Sequence, residues 1–407
     1  MITVDDALPR FCATRLATLP HSARLTLELL DNVQGGALAV ELPDGQHVRV
    51  GHGALVAHWR ICDPVVFDLV LATGDIGLAE AWMDGAWDSD DPTALLTLLG
   101  RNREVLGRAV YGRFLRLLGH RVSHMLRANT RVGARRNIEA HYDLGNDFYQ
   151  LWLDPSMTYS AAVFESDDEC LELAQRRKYQ RILERLDVRP GQQILEIGCG
   201  WGGFAEVAAQ DFGCRVLGLT LSPAQLEYAR ERAQKGGFED LAEFELCDYR
   251  DVRGQYDHVV SVEMIEAVGE RFWPVYFERI AALLKPGGRC VIQAITISDA
   301  LFSRYRRGTD FIQRYIFPGG MLPSPATINR QLAGAGLVLK DDFAFGLDYA
   351  RTLARWHENF LACLPAVRSK GFSERFIRMW RMYLSYCKAG FATGDIDVHH
   401  YEIAHRG

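Results

Sequence analysis

The chain has 407 residues, 48% hydrophobic and 24% charged, with 46 basic against 52 acidic side chains and a formal net charge of −6. That balance excludes a disordered chain and a globally basic nucleic-acid binder, and no apolar run approaches the ~18 residues that a membrane-spanning helix needs. The nine cysteines include no C-x-x-C pair and read as free thiols in a reducing cytosol, and MITVDDALPRF lacks the pattern of a secretory signal. A cytoplasmic enzyme of two or three domains, with no metal site and no nucleic-acid partner, is the expectation.

Residues 1–100 read as a small α+β domain. A strand over Ala37–Leu42, a turn at Asp44-Gly45 and a strand from His47 to Val50 give a hairpin signature. Pro64 opens a helix that Gly74 closes, and GLAEAWMDGAW and DPTALLTLLG read as two more short helices. Nothing here has catalytic spacing, so this domain is expected to pack or to present substrate. Residues 101–136 carry ten arginines against one acid, Glu104, with Leu106, Val110, Phe114, Leu117, Leu118 and Val122 at helical spacing. A basic amphipathic linker of this kind is drawn to an anionic membrane surface at about 1 kcal/mol per basic residue close to it. The competing reading is a solvated linker packed on the core.

Residues 137–165 form a polar and aromatic loop, after which an apolar stripe from Leu171 to Leu186 predicts a helix over Asp167–Val188. Strands and helices then alternate. Strands are predicted at Ile194–Ile197, Arg215–Leu219, Ala242–Leu246, His258–Val262 and Cys290–Thr296. Helices are predicted at Phe204–Phe212, Ser222–Lys235 and Phe272–Leu284, the second with Ser222 as N-cap and Pro223 at its first position. Such alternation implies a mostly parallel sheet covered on both faces, with ligands beyond the carboxyl ends of the strands. Glu196–Gly203, Thr220–Ser222, Asp248–Tyr249, Glu263–Glu266 and Gln293–Thr296 are thereby gathered around one crevice.

The stretch QILEIGCGWGG, 193–203, is the turn after the first of these strands. Gly198, Gly200, Gly202 and Gly203 leave backbone amides open to a ligand, and the run fits G-x-G-x-x-G. By itself it suits NAD, FAD or S-adenosylmethionine. An NAD site needs an acid about 20 residues beyond the first glycine, and that neighbourhood is Gly218-Leu219-Thr220. Glu196 instead lies two residues before the first glycine, and Asp248 with Tyr249 suits an adenine, a carboxylate for its amine and a ring beside it. The pieces favour S-adenosylmethionine.

The segments HYDLGNDFY (141–149), MTYSAAVF (157–164), LEIGCGWGG (195–203), GLTLSPAQ (218–225), DYRD (248–251), VEMIEAVG (262–269), DFIQRYIFPGGMLPS (310–324) and FGLDYARTLARWHENF (345–360) follow one another in order. In sequence and spacing they resemble the cyclopropane fatty acyl phospholipid synthases and mycolic acid methyltransferases, firmly over about residues 135–395. The resemblance implies an α/β, Rossmann-like class I methyltransferase with a mostly parallel seven-stranded sheet at 137–407, behind the small N-terminal domain (1–100) and the basic linker (101–136). It implies methyl transfer from S-adenosylmethionine to a cis double bond of a phospholipid acyl chain. The expected product is a cyclopropane fatty acid, closed when the new methyl of the resulting carbocation loses a proton; the alternative is a branched chain, left when the acyl chain loses one.

The family's base is a bicarbonate held by a Cys, a Glu, a His, a backbone group and a Tyr. Glu266, Tyr349 and the backbone at Ile295 match, while Ala161 stands at the Cys position and Gln293 at the His position. Gln293 can still donate a hydrogen bond, so bicarbonate is expected with weaker fixation, or else Glu266 or another group takes the proton. Glu266, Tyr349 and Gln293 are the catalytic candidates. Tyr159 and Ser160 resemble the family's contacts to the methionine end, and with Glu196, Gly198, Gly200, Gly202, Thr220, Gln225, Asp248 and Tyr249 they make the cofactor-binding set. His141, Tyr142 and Asp147 are lid or capping residues; Phe302, Phe311, Tyr315 and Phe317 are tunnel lining or ordinary core. The expected partner is a phospholipid at the anionic inner face of the membrane, with a homodimer as a further expectation. The alternatives are a small-molecule N-methyltransferase and a non-catalytic lipid-binding protein.

Overall fold

The computed structural model describes residues 19–110 and 144–406. Most of the basic linker, with His141 and Tyr142, lies outside them. The chain divides into two compact units. The first takes in residues up to 123 together with 308–314 and 368–393; the second takes in the rest.

In the first unit the hairpin forms as its turn chemistry dictates. Strand β1 (Gly36–Glu41) pairs antiparallel with β2 (His47–His52), then parallel with β3 (Leu55–Ile61), and β4 (Trp87–Ser89) closes the order β2-β1-β3-β4. Trp59, Trp82 and Trp87 are buried at its centre. The long helix Glu374–Thr393 belongs to this unit, and its Arg378 guanidinium lies 4.1 Å over the Trp82 ring. No short-range pattern ties that helix to residues almost 300 positions earlier.

The second unit is built on a seven-stranded sheet: β5 (Gln193–Ile197), β6 (Arg215–Thr220), β7 (Ala242–Leu246), β8 (Tyr256–Val262), β9 (Leu284–Ile297), β10 (Leu337–Ala344) and β11 (Ile396–His405). Its order is β10-β11-β9-β8-β5-β6-β7, and only β11 runs against the others. Central β5 is buried at Ile194, Leu195, Glu196 and Ile197, as a parallel strand covered on both faces must be. Edge strand β7 buries Ala242 and Phe244 and exposes Glu243 between them.

The predicted helix over Asp167–Val188 is shorter, Leu171–Leu186, because Cys170 is extended at its start and Asp187 turns left-handed (φ 54°) at its end. The helix Pro223–Gly236 has the predicted cap, Ser222 Oγ accepting from the Gln225 N–H. From β5 the chain moves outward through β6 and β7, then returns to the other side of β5 with β8 and β9. The switch point lies between β5 and β8, where an open α/β sheet leaves a crevice for a ligand.

Candidate active site

Strand β5 carries Glu196 to the crevice and ends in the glycine turn. Gly198, Gly200 and Gly202 adopt φ of 87°, 51° and 85°, and a Cβ on Gly198 would lie 2.6 Å from Met264 Cγ. Trp201 fixes the turn from outside: its Nε1–H donates to Asn146 Oδ1 at 2.8 Å, and Asn146 Nδ2 donates to Ala224 O at 3.1 Å. Glu196 is 3% exposed and its Oε2 has no hydrogen-bond partner. Burial raises its carboxyl to about 8, against the pull of Lys178. An unpartnered buried carboxylate oxygen beside a turn of open glycine amides fits S-adenosylmethionine, which brings an ammonium and ribose hydroxyls as donors and a carboxylate as acceptor.

Two further cofactor candidates meet at the end of β6, where Thr220 Oγ1 donates to Gln225 Oε1 at 2.8 Å and accepts from the Ser222 N–H at 3.1 Å. Asp248 is engaged by its neighbour: Arg250 donates through Nε at 2.8 Å and through its backbone N–H at 3.0 Å. Tyr249 is buried and packs edge-on against Tyr276 at 5.5 Å, so its ring belongs to the core as well as to the crevice rim. Tyr159 sits in an aromatic wall, 5.4 Å from Tyr149, 5.6 Å from Trp152 and 5.3 Å from Trp356 between ring centroids. Tyr149 in turn lies 5.2 Å from Trp201 of the glycine turn. Beside it Ser160 Oγ accepts a hydrogen bond from Lys178 Nζ at 2.6 Å.

The carboxyl ends of β8 and β9 hold the densest chemistry. Glu263 follows β8 with φ 50°, a left-handed conformation unusual for a side chain with a Cβ. Its carboxylate accepts from the Ala161 N–H at 2.8 Å, from Gln293 Nε2 at 2.8 Å and from the Tyr349 hydroxyl at 2.7 Å. Gln293 is orientated from behind, where His400 Nε2 lies 2.8 Å from Gln293 Oε1. His400 faces Gln293 across the β9–β11 ladder, and burial holds its ring well below the ordinary imidazole range, so it is the neutral tautomer with Nε2–H that donates. Glu266, one turn on, accepts from the Ile295 N–H at 2.5 Å and leaves Oε2 enclosed without a partner.

Burial raises the carboxyls of both Glu263 and Glu266, the latter to about 8 with the Glu263 charge as second cause. Hydrogen bonds from Ala161, Tyr349 and Gln293 and the nearby Lys178 hold the Glu263 shift back. The two carboxyls thus differ in their surroundings: Glu263 is the acceptor of three converging donors, an arrangement suited to a carboxylate that takes up a proton, while Glu266, raised to about 8, has one backbone donor and an unpartnered Oε2. Tyr349 and Gln293 are joined through Glu263, to which both donate, whereas Glu266 accepts from the Ile295 backbone.

Three members of this array escaped the sequence reading as individuals: Glu263, His400 and Lys178. The signal for Glu263 was its place two residues before Ile265 in a strand-end segment already assigned to the crevice. The aromatic candidates are dispersed. Phe302 stacks on Trp273 at 6.4 Å in the second unit, while Phe311 packs on Tyr386 at 5.9 Å in the first. Tyr315 and Phe317 belong to the second unit. Asp147 lines an open cleft of about 680 Å³ with Glu206, Glu227, Glu231 and Arg232, on the outer side of the helix Pro223–Gly236.

The chain is similar to known proteins. The family profile "Mycolic acid cyclopropane synthetase" matches residues 129–401. A tuberculostearic acid methyltransferase of Mycobacterium tuberculosis is 42% identical over 343 residues, covering 82% of this chain and 80% of its own. The cyclopropane-fatty-acyl-phospholipid synthase of Escherichia coli is 35% identical over 371 residues, covering 88% of this chain and 94% of its own. Among solved structures, the cyclopropane synthase MmaA2 of Mycobacterium tuberculosis matches with a TM-score of 0.63 at 30% identity, over 66% of this chain and 98% of its own. A mycolic acid cyclopropane synthase solved with SAH and CTAB matches at 0.62 and 30% identity, over 66% and 97%.

Proposed function

The chain belongs to the mycolic acid cyclopropane synthetase family and is an S-adenosylmethionine-dependent methyltransferase, and on that premise we propose that it methylates the double bond of an unsaturated fatty acyl chain and releases a branched chain. The observation that carries this reading is the Glu263 carboxylate, held by Ala161, Gln293 and Tyr349.

The alkene π pair attacks the methyl carbon, the S–CH₃ bond breaks with its pair going to sulfur, and S-adenosylhomocysteine leaves. The alkene is a weak nucleophile, so the crevice must hold it in line with the sulfonium at near-attack distance. A positive charge then resides on the chain beside the carbon that received the methyl. The aromatic wall of Tyr149, Trp152, Tyr159 and Trp356 supplies ring faces that tolerate a cation while excluding water. Glu263 accepts a proton from the acyl carbon next to the cation, the pair of that C–H bond forms the new double bond, and the three donors keep the carboxylate aimed.

A bicarbonate does not fit beside this carboxylate. The donors that would fix it are taken by Glu263, and a second anion would sit in an enclosed space already holding Glu263 and Glu266. The change from Cys to Ala161 and from His to Gln293 belongs with this tethered base. A branched product also agrees with the name of the relative at 42% identity, a tuberculostearic acid methyltransferase. The second reading, ring closure to a cyclopropane, is favoured by Glu266, Tyr349 and the Ile295 backbone, which match the family's anion site. Both products gain one CH₂, and proton NMR of the recovered acyl chains separates them.

The substrate is read as a phospholipid acyl chain taken at an anionic membrane surface. No helix among the described residues is long and apolar enough to cross a membrane. An acyl chain drawn from a bilayer forfeits about 0.8 kcal/mol per methylene unless it is reburied, which favours binding at the lipid surface. Electrostatic attraction by the arginine-rich segment 101–136 would supply that docking.

A further inference from the structure

Lys178 is the one lysine or arginine buried outright among the described residues, with no exposed surface. It lies on the helix Leu171–Leu186, one turn after Gln175, which is equally buried. Both side chains grip the same residue. Lys178 Nζ donates to Ser160 Oγ at 2.6 Å, and Gln175 Nε2 donates to Ser160 O at 2.8 Å. The ammonium also rests 4.3 Å over the Tyr179 ring. No carboxylate of the described residues comes within ion-pairing distance of it, although Glu263, Asp154 and Glu196 all feel its charge.

A buried ammonium without an ion pair is costly, and structures keep one where a further anion completes the site. An ammonium can only donate, so Ser160 Oγ is the acceptor of this hydrogen bond. The single hydroxyl hydrogen of Ser160 is therefore left for a further acceptor; burial lowers the Lys178 amine to about 7, and an anion seated on that hydroxyl would favour the protonated amine behind it. Ser160 stands between Tyr159 of the aromatic wall and Ala161 at Glu263, on the rim of the cofactor crevice.

We propose that Lys178 is a positioning residue that, through Ser160, fixes the α-carboxylate of S-adenosylmethionine. The inference rests on Ser160 lying at the methionine end of the cofactor and adds the cation behind it. The net positive charge that the sulfonium cofactor brings is met by Glu196 and Glu263, while its one negative group is met by the Ser160 hydroxyl and Lys178. This sorting of charge sets which way round the methionine end lies, and hence where the sulfonium methyl points.

The test is a ligand comparison on the full-length protein. Affinities for S-adenosylhomocysteine and for 5′-methylthioadenosine, which lacks the amino-acid end, are measured by calorimetry for the wild type, Lys178→Met, Ser160→Ala and the double variant. Without the cation that strengthens the hydrogen bond to the carboxylate, Lys178→Met should bind S-adenosylhomocysteine about 10- to 100-fold more weakly. Its affinity for 5′-methylthioadenosine should stay within about twofold, and the double variant should lose no more than the worse single one. A loss shared by both ligands, or by neither, overturns the role of Lys178 even where Ser160→Ala discriminates between them. Discrimination by Lys178→Met without discrimination by Ser160→Ala overturns the relay through the hydroxyl. If Lys178→Met does not fold, Lys178→Gln is read in the same way. The reading of Glu263 is untouched by any of these results, because neither ligand carries the acyl chain.

Discussion

Replacing Glu263 tests the proposed chemistry at its proton acceptor. Glu263→Gln keeps the shape but removes the charge, and its amide must place an N–H₂ where three donors already converge: the Ala161 N–H, Gln293 Nε2 and the Tyr349 hydroxyl. Gln293 cannot turn to meet it, because its Oε1 is committed to His400 at 2.8 Å. Loss of a positioned base costs about 10²- to 10⁴-fold in turnover, and the donor crowding adds about 1–3 kcal/mol locally. Turnover is followed as S-adenosylhomocysteine released in the presence of unsaturated phospholipid vesicles. Glu263→Gly sharpens the experiment, since φ 50° suits glycine and the three donors remain around an empty anion site. Added formate or bicarbonate should then restore part of the lost activity. Turnover in Glu263→Gln within about threefold of wild type, where a general base is worth at least 10²-fold, would refute the assignment. So would a Glu263→Gly variant that is inactive yet deaf to both anions.

Other expectations follow from the same geometry. Tyr349→Phe removes a hydrogen bond that lowers the Glu263 pKa, so the acid limb of the pH–turnover profile should move to higher pH and turnover should fall; an unmoved limb would separate Tyr349 from the base. Glu196 has a folded pKa raised from 4.5 to about 8, an ionisation penalty of order 5 kcal/mol. Its stabilising contribution is complete below the unfolded value and is lost as pH rises toward about 8, so ligand-free Glu196→Gln should gain Tm over wild type increasingly across that interval while binding S-adenosylmethionine more weakly. Gly198→Ala, with φ 87° and a Cβ 2.6 Å from Met264 Cγ, should lose cofactor binding and stability by about 2 kcal/mol or more, measured by calorimetry and thermal melting. Changing Arg113, Arg116 and Arg121 to Glu should weaken sedimentation with anionic vesicles, at about 1 kcal/mol per basic residue; vesicle binding that ignores salt would contradict an electrostatic contact.

The parts of the fold with local signatures were legible in the sequence. The glycine turn, the Ser222-Pro223 cap and the alternation of apolar strands with amphipathic helices each need only a few neighbouring residues, and they bring Glu196, Thr220, Gln225 and Gln293 to one edge of the sheet. What depends on distant chain was not legible. His400 meets Gln293 across 107 residues of sequence, and only the β9–β11 register aligns them. Lys178 falls in a charged helix where a lysine ordinarily faces water, and only the packing of that helix on Ser160 buries it. The helix Glu374–Thr393 joins the first unit through tertiary packing that no periodicity announces. Glu263 was hidden for a different reason. The motif reading supplied an anion from solution, while the backbone turn at φ 50° delivers a carboxylate from the chain itself.

The most direct measurement gives the purified protein S-adenosylmethionine with a trideuterated methyl group and vesicles of a cis-monounsaturated anionic phospholipid, then examines the recovered acyl chains by mass spectrometry and proton NMR. Chains enlarged by one methyl-derived carbon are expected, with olefinic carbons retained and no upfield cyclopropane resonances. Acyl chains recovered unlabelled would contradict the assignment of the substrate, and cyclopropane resonances on labelled chains would contradict the branched outcome assigned to Glu263.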